Sequence, residues 1–323
     1  MVFRSYLRMG AVVLCLSAVL CACRNAFAFD RRMSAALSHY IMAGLSEKAG
    51  DLDQAVEEYK KALSADYKNA AIHLNLAAVY LKKKDTPGAI AELSLAAKFD
   101  PESVEPHAIL ALLYFSQEKL DAAGNEYEKA LKNASRLEPK NSGVLKKLGL
   151  LYLEKKDYKA AEGIYKKVLE LSPEDAESRF LLSSVYDEQK DRDRAVLELK
   201  KVLEMAPDFH QALNYLGYLY VEENRNLAEA EKLIKKAVEL SPDNGAYIDS
   251  LGWLYFKKGD PKEAQVQLEK AAGLLEDPVI YDHLGDVYYS MNDRERSRLN
   301  WEKSLELKSD QDKVKEKIKG LKR

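Results

Sequence analysis

A pattern that returns about every 34 residues constrains this chain more than any other feature. Leu216-Gly217 is followed by Tyr220, Leu251-Gly252 by Tyr255 and Leu284-Gly285 by Tyr288, so three Leu-Gly-x-x-Tyr copies stand 35 and 33 residues apart. Extended outward, the same anchor falls at Met42, Leu76, Leu110, Leu148, Leu182, Leu216, Leu251 and Leu284, with gaps of 34, 34, 38, 34, 34, 35 and 33. Thirteen residues past the anchors stand Ala55, Ala89, Ala123, Ala161, Ala195 and Ala264, with Ala230 one place later and Ser297 in the last copy. Pro101, Pro173 and Pro207 follow 25 past their anchors, Pro242 one later and Pro139 four later.

Each position has a physical reading. At about 100° per residue, the anchor, the Gly after it and the Tyr beyond fall within one arc of a helix, its buried stripe. Gly inside a helix costs about 1 kcal/mol against Ala, so close approach of a neighbouring helix must offset it. Ala43, Ala77, Ala111 and Ser183 take that place more weakly in other copies. A second helix carries its own stripe, such as Ala161, Tyr165 and Val168, and Pro ends the unit because it cannot continue a helix. The stretch ALKNASRLEPKN carries four extra residues, about one helical turn, and predicts a lengthened second helix. Pro278 reads as the start of a helix rather than the end of one.

Period, Leu-Gly-x-x-Tyr, Ala and Pro together resemble the tetratricopeptide repeat from roughly Ser34 to Ser309. The resemblance implies an all-α fold, a right-handed superhelical solenoid of about eight helical hairpins spanning residues 34–309. Two helices of this length cannot bury their apolar faces alone, so neighbours supply the core. Residues 310–323 are Lys-rich, with Val314, Ile318 and Leu321 at helical spacing, and read as a solvated capping helix or a basic tail.

The N-terminus is separate. Arg4 and Arg8 precede an uncharged run from Met9 to Cys23, too short to span a bilayer comfortably and suited to an export signal. Two processing readings stand. Ala26-Phe27-Ala28 fits cleavage after Ala28, giving a signal peptide of residues 1–28. Leu20-Cys21-Ala22-Cys23 resembles a lipobox, giving a lipoprotein signal of residues 1–22 with the lipid on Cys23. All three cysteines, Cys15, Cys21 and Cys23, lie in this segment, so the array expects no disulfide and no thiolate site. The reading is an exported, periplasmic protein that touches a membrane only through a lipid on Cys23.

The formal net charge of −2 over 323 residues argues against a nucleic-acid binder. No phosphate loop, HExxH or G-x-S-x-G occurs. His39, His73 and His107 recur every 34 residues, but equivalent positions on helices about 8 to 10 Å apart are poorly placed to share a zinc, and they read as packing residues. Neither catalysis nor a cofactor is expected, because the repeats use up the chain.

A binding surface is the better reading. Two before, two after and five after each anchor lie about 140° to 200° from the anchor on the first helix, opposite the buried stripe. In the family this face lines the concave groove. In the C-terminal half it presents Phe180, Asp187, Tyr218, Asp249, Trp253, Phe256, Asp282, Asp286 and Tyr289, and in the N-terminal half Leu74, Leu112, Phe115, Leu150 and Leu153. Aromatic residues anchor interfaces well, and the acidic setting favours a peptide or protein segment carrying Lys or Arg. The expected function is a scaffold in envelope assembly or export; the alternative is an accessory subunit of an envelope polysaccharide or secretion machinery that holds an enzyme or a glycan.

Overall fold

The computed structural model describes residues 31–321, and every regular element among them is a helix. The signal-peptide readings and Cys23 lie outside the described residues. Helix α1 covers 31–49, followed by α2 (Leu52–Ala65), α3 (Ala70–Lys82), α4 (Thr86–Phe99), α5 (Glu105–Ser116) and α6 (Leu120–Leu137). Next come α7 (Ser142–Glu154), α8 (Tyr158–Leu171), α9 (Ala176–Glu188), α10 (Arg192–Met205), α11 (His210–Glu222) and α12 (Leu227–Leu240). The last are α13 (Gly245–Lys257), α14 (Pro261–Leu274), α15 (Pro278–Ser290), α16 (Arg294–Leu307) and α17 (Asp312–Leu321). The first sixteen pair into hairpins, an all-α repeat solenoid, with His39 of α1 reaching Glu58 of α2, Gly149 of α7 lying against Tyr165 of α8, and α17 packed on α16. Two compact units divide at Val144 and Leu145.

One turn design recurs in every hairpin. The residue eight past the anchor takes a left-handed backbone: Gly50, Lys84, Glu118, Lys156, Lys190, Asn224, Gly259 and Asn292 all have positive φ. Gly and Asn suit that conformation, and Lys and Glu are strained in it. The residue after it is usually an Asp that caps the second helix. Asp51, Asp85, Asp157, Asp191, Asp260 and Asp293 each accept a hydrogen bond from the backbone N–H three residues on. Lys119 holds the equivalent place before α6 and makes no such bond. The sixth hairpin has the longer turn its extra residue implies, with Asn226 left-handed as well as Asn224. Thr86 and Pro87, residue types that also favour turns, lie inside the first turn of α4. Proline marks the other boundaries: Pro101, Pro139, Pro173, Pro207 and Pro242 each stand two residues past the end of a second helix. Pro278 opens α15, as its sequence context suggests, and α6 runs 18 residues against 14 in α8 and α10.

The anchor leucines from Leu76 to Leu284 are buried. Met42 departs from them: it is exposed, and Ala43 beside it is buried instead, because no described hairpin lies on the outer side of α1. The glycines after the anchors are forced by close contact. A Cβ on Gly217 would stand 2.5 Å from Ile234 Cγ1 and 3.2 Å from the Ala230 carbonyl oxygen, and one on Gly252 would stand 2.7 Å from Leu268 Cγ. The second helix therefore lies directly against the first at the glycine, burying Ala230, Ile234, Ala264 and Leu268.

Candidate functional site

Successive first helices in residues 145–321 lie side by side, and their polar side chains meet across the seam one repeat apart. Tyr215 Oη donates to Asp187 Oδ2 at 2.8 Å. His283 Nδ1 lies 2.9 Å from Asp249 Oδ1, both side chains buried. On α17, Lys317 Nζ lies 2.6 Å from Asp282 Oδ1 and 2.7 Å from Asp286 Oδ1. The N-terminal unit repeats the arrangement, with Asn75 donating to the Tyr40 hydroxyl at 2.7 Å.

Aromatic side chains fill the spaces between these bonds. Trp253 stacks on His283 with ring centroids 4.0 Å apart and planes at 9°, and on Phe256 at 5.0 Å and 19°. Its Nε1 donates to Glu222 Oε1 at 2.8 Å, and Lys257 Nζ stands 4.6 Å from its ring centroid. Phe180 packs on Phe209 and Tyr215 at 5.4 and 6.1 Å. Burial alone would lower the His283 pKa, but Asp249, with Asp282 and Asp286 beside it, outweighs burial and holds it above the ordinary value. Burial pushes the Asp286 carboxyl up against the pull of Lys317, and Asp282 adds to the rise. Tyr218 is pushed up by burial and by the Glu222 and Asp249 carboxylates.

The nine residues singled out on this face therefore stand in different circumstances. Trp253 is 7% exposed and Asp249 is also buried, which corrects the reading of that helix side as open: each is covered by the next first helix, through His283. Asp187, Asp282 and Asp286 are half-buried and already paired within the chain, Asp187 also with Arg192 Nε at 3.3 Å. Phe180, Tyr218 and Phe256 are half-buried, and Tyr289 is 52% exposed. Leu150 in this unit, and Leu112 and Phe115 in the other, are exposed.

A cleft of about 220 Å³ opens beside Tyr218 and Asp249 and is lined also by Asn214, Ser250 and Asp277. The Asn214 Oδ1 is buried without a hydrogen-bond partner. The polar lining comprises two carboxylates, an unpaired amide oxygen and two hydroxyls, of which that of Ser250 donates to the Ala246 carbonyl. Asn214 stands two before its anchor, on the face periodicity marks, though it was not singled out; Asp277 was not evident from periodicity, since it precedes α15 and caps it by accepting from Val279 N. The recurring histidines have partners that periodicity does not show. His39, His73 and His107 lie 2.6, 2.6 and 2.5 Å from Glu58, Glu92 and Glu126, each 19 residues on and in the second helix of the same hairpin. Arg179 and Glu198 repeat that spacing at 2.7 Å. Among the described residues, no three His, Cys, Asp or Glu side chains gather as a metal site, and no helix is long and apolar enough to cross a membrane.

Comparisons with known proteins match the repeats. Tetratricopeptide repeat profiles match residues 47–113 and 152–216, residues 106–174, and residues 210–244 and 247–275. The type IV pilus assembly protein PilF of Pseudomonas aeruginosa is 35% identical over 105 residues, 32% of this chain and 38% of PilF. The match thus spans well under half of that relative's length. A tetratricopeptide repeat protein from Parabacteroides merdae superposes with a TM-score of 0.58 at 20% identity, over 79% of this chain and 99% of that one. A chain of the Cut9–Hcn1 hetero-tetramer gives 0.58 at 14% identity, over 84% and 52%.

Proposed function

Because this chain belongs to the tetratricopeptide repeat family, whose members mediate protein–protein contacts, we propose that it is a non-enzymatic scaffold. It holds a partner protein or peptide against the first-helix face of residues 176–290, with a preference for a segment carrying Lys or Arg. The observation that carries this reading is the acceptor-lined cleft between α11, α13 and the start of α15. A cationic side chain would supply the Asn214 oxygen with the donor it lacks and meet the Asp249 and Asp277 carboxylates, and unpaired buried acceptors are costly to leave empty of donors. Tyr218 offers aromatic surface in it, and Phe180 and Tyr289 stand elsewhere on the same face. Trp253 is held by its own chain, against Glu222 and His283.

The setting we propose is the cell envelope, in assembly or export. The export-type leader sequence supports it, as does the partial likeness to a pilus assembly protein.

Calorimetry with a lysine-rich peptide and its fully acetylated counterpart tests the reading. The unmodified peptide is expected to bind at least tenfold more tightly, about 1.4 kcal/mol, and Tyr218→Ala is expected to remove most of that difference. Equal affinities would remove the basic preference, and failure to retain any partner from envelope extracts would remove the scaffold itself.

A further inference from the structure

The outer side of α1 carries an apolar stripe that nothing in residues 31–144 covers. Leu37, Ile41 and Leu45 are 59%, 52% and 55% exposed, and Met33 and Met42 are exposed with them. Spaced by four, they run along one side of the helix for about 18 Å, and the stripe contains no charged side chain. Its register shows what kind of surface it is. One repeat later, Leu76 and Val79 occupy the places of Met42 and Leu45, and both are buried against Tyr59, Ala62 and Leu63 of α2. At Met42 and Leu45 the exposed side of α1 therefore continues the packing interface that joins one hairpin to the next, while Leu37 and Ile41, whose counterparts are the exposed Ala71 and the half-buried Asn75, extend it with apolar side chains particular to this helix. A cleft of about 600 Å³ adjoins it, lined by Met33, Leu37 and Tyr40, by Ala71 and Ile72 of α3, and at its polar edge by Asp66 and Asn69, which hydrogen-bond to each other.

We propose that this stripe is a self-association surface, occupied by α1 of a second copy of the chain. Among the described residues, the last helix offers no match for it. There α17 buries Val314 against the array and exposes Asp312, Lys313, Glu316 and Lys319, with no exposed large apolar residue. A head-to-tail stack would desolvate those charges against an apolar face, which is costly. Two α1 stripes meeting about a two-fold axis bury apolar surface on both sides and strand no charge, and a contact of this isologous kind closes on itself. Contiguous exposed apolar patches of this extent mark interaction sites.

Light scattering and sedimentation velocity on the purified protein across micromolar concentrations test it. The expected mass is that of two chains, falling to that of one in the double variant Leu37→Glu/Ile41→Glu, with unchanged helical circular dichroism because both side chains are exposed. The double variant Leu112→Glu/Phe115→Glu alters an equally exposed apolar pair on α5 and is expected to leave the two-chain mass intact. A single-chain mass for the parent throughout, a dimer that survives the α1 changes, or one lost on changing α5 instead would overturn the proposal.

Discussion

Gly217 and Gly163 both sit inside helices of this array and answer to opposite constraints. Ile234 and the Ala230 carbonyl crowd the first, whereas a Cβ on the second would meet nothing within 4 Å. Gly217→Leu is therefore expected to cost about 3 kcal/mol by overpacking. Gly163→Ala should gain about 1 kcal/mol of helix propensity, both read from urea denaturation. The Asp249–His283 pair sets a pH dependence. Because the folded-state pKa of His283 is raised, its stabilising contribution is complete below the ordinary value of 6.5 and is lost as pH rises through the folded value. The melting temperature should fall as pH is raised above 6.5, and Asp249→Asn should flatten that dependence; a parent profile flat across this window would show that the pair carries none of it. The Leu-Gly spacing announced the crowded glycines directly. Trp253 was less legible, because angular position on one helix cannot show that the next first helix lays His283 across its ring.

At the scale of helices and turns, the third hairpin is the least well built. Glu118 is left-handed where four copies have Gly or Asn and three have Lys, and Lys119 stands where six copies have a capping Asp. Relieving a left-handed side chain is worth about 1 kcal/mol, and restoring an N-cap adds about 1 kcal/mol. Glu118→Gly/Lys119→Asp should raise the denaturation midpoint by roughly their sum; a cost of about 2 kcal/mol instead would mean that the turn relies on another contact. Helix boundaries were readable because Pro and Asp punctuate them. The pairings of His39, His73 and His107 with Glu58, Glu92 and Glu126 were not, since a spacing of 19 residues becomes a contact only after the left-handed turn folds one helix back on the other.

For the whole molecule, the period alone conveyed the all-α repeat architecture, while the partners of surface residues depended on neighbours that periodicity does not specify. Arrays of this kind draw stability from each hairpin and its nearest neighbours rather than from one centre. Every hairpin here turns through the same left-handed step, and most are capped by the same aspartate. The joints are thus interchangeable parts. Residues 176–209 begin at the first residue of α9 and end just before the first residue of α11, so splicing Asp175 directly to His210 should give a shortened chain that still folds, with helical ellipticity per residue unchanged and a lower melting temperature. A lineage able to lengthen or trim the protein one cassette at a time could vary its reach without redesigning a single turn.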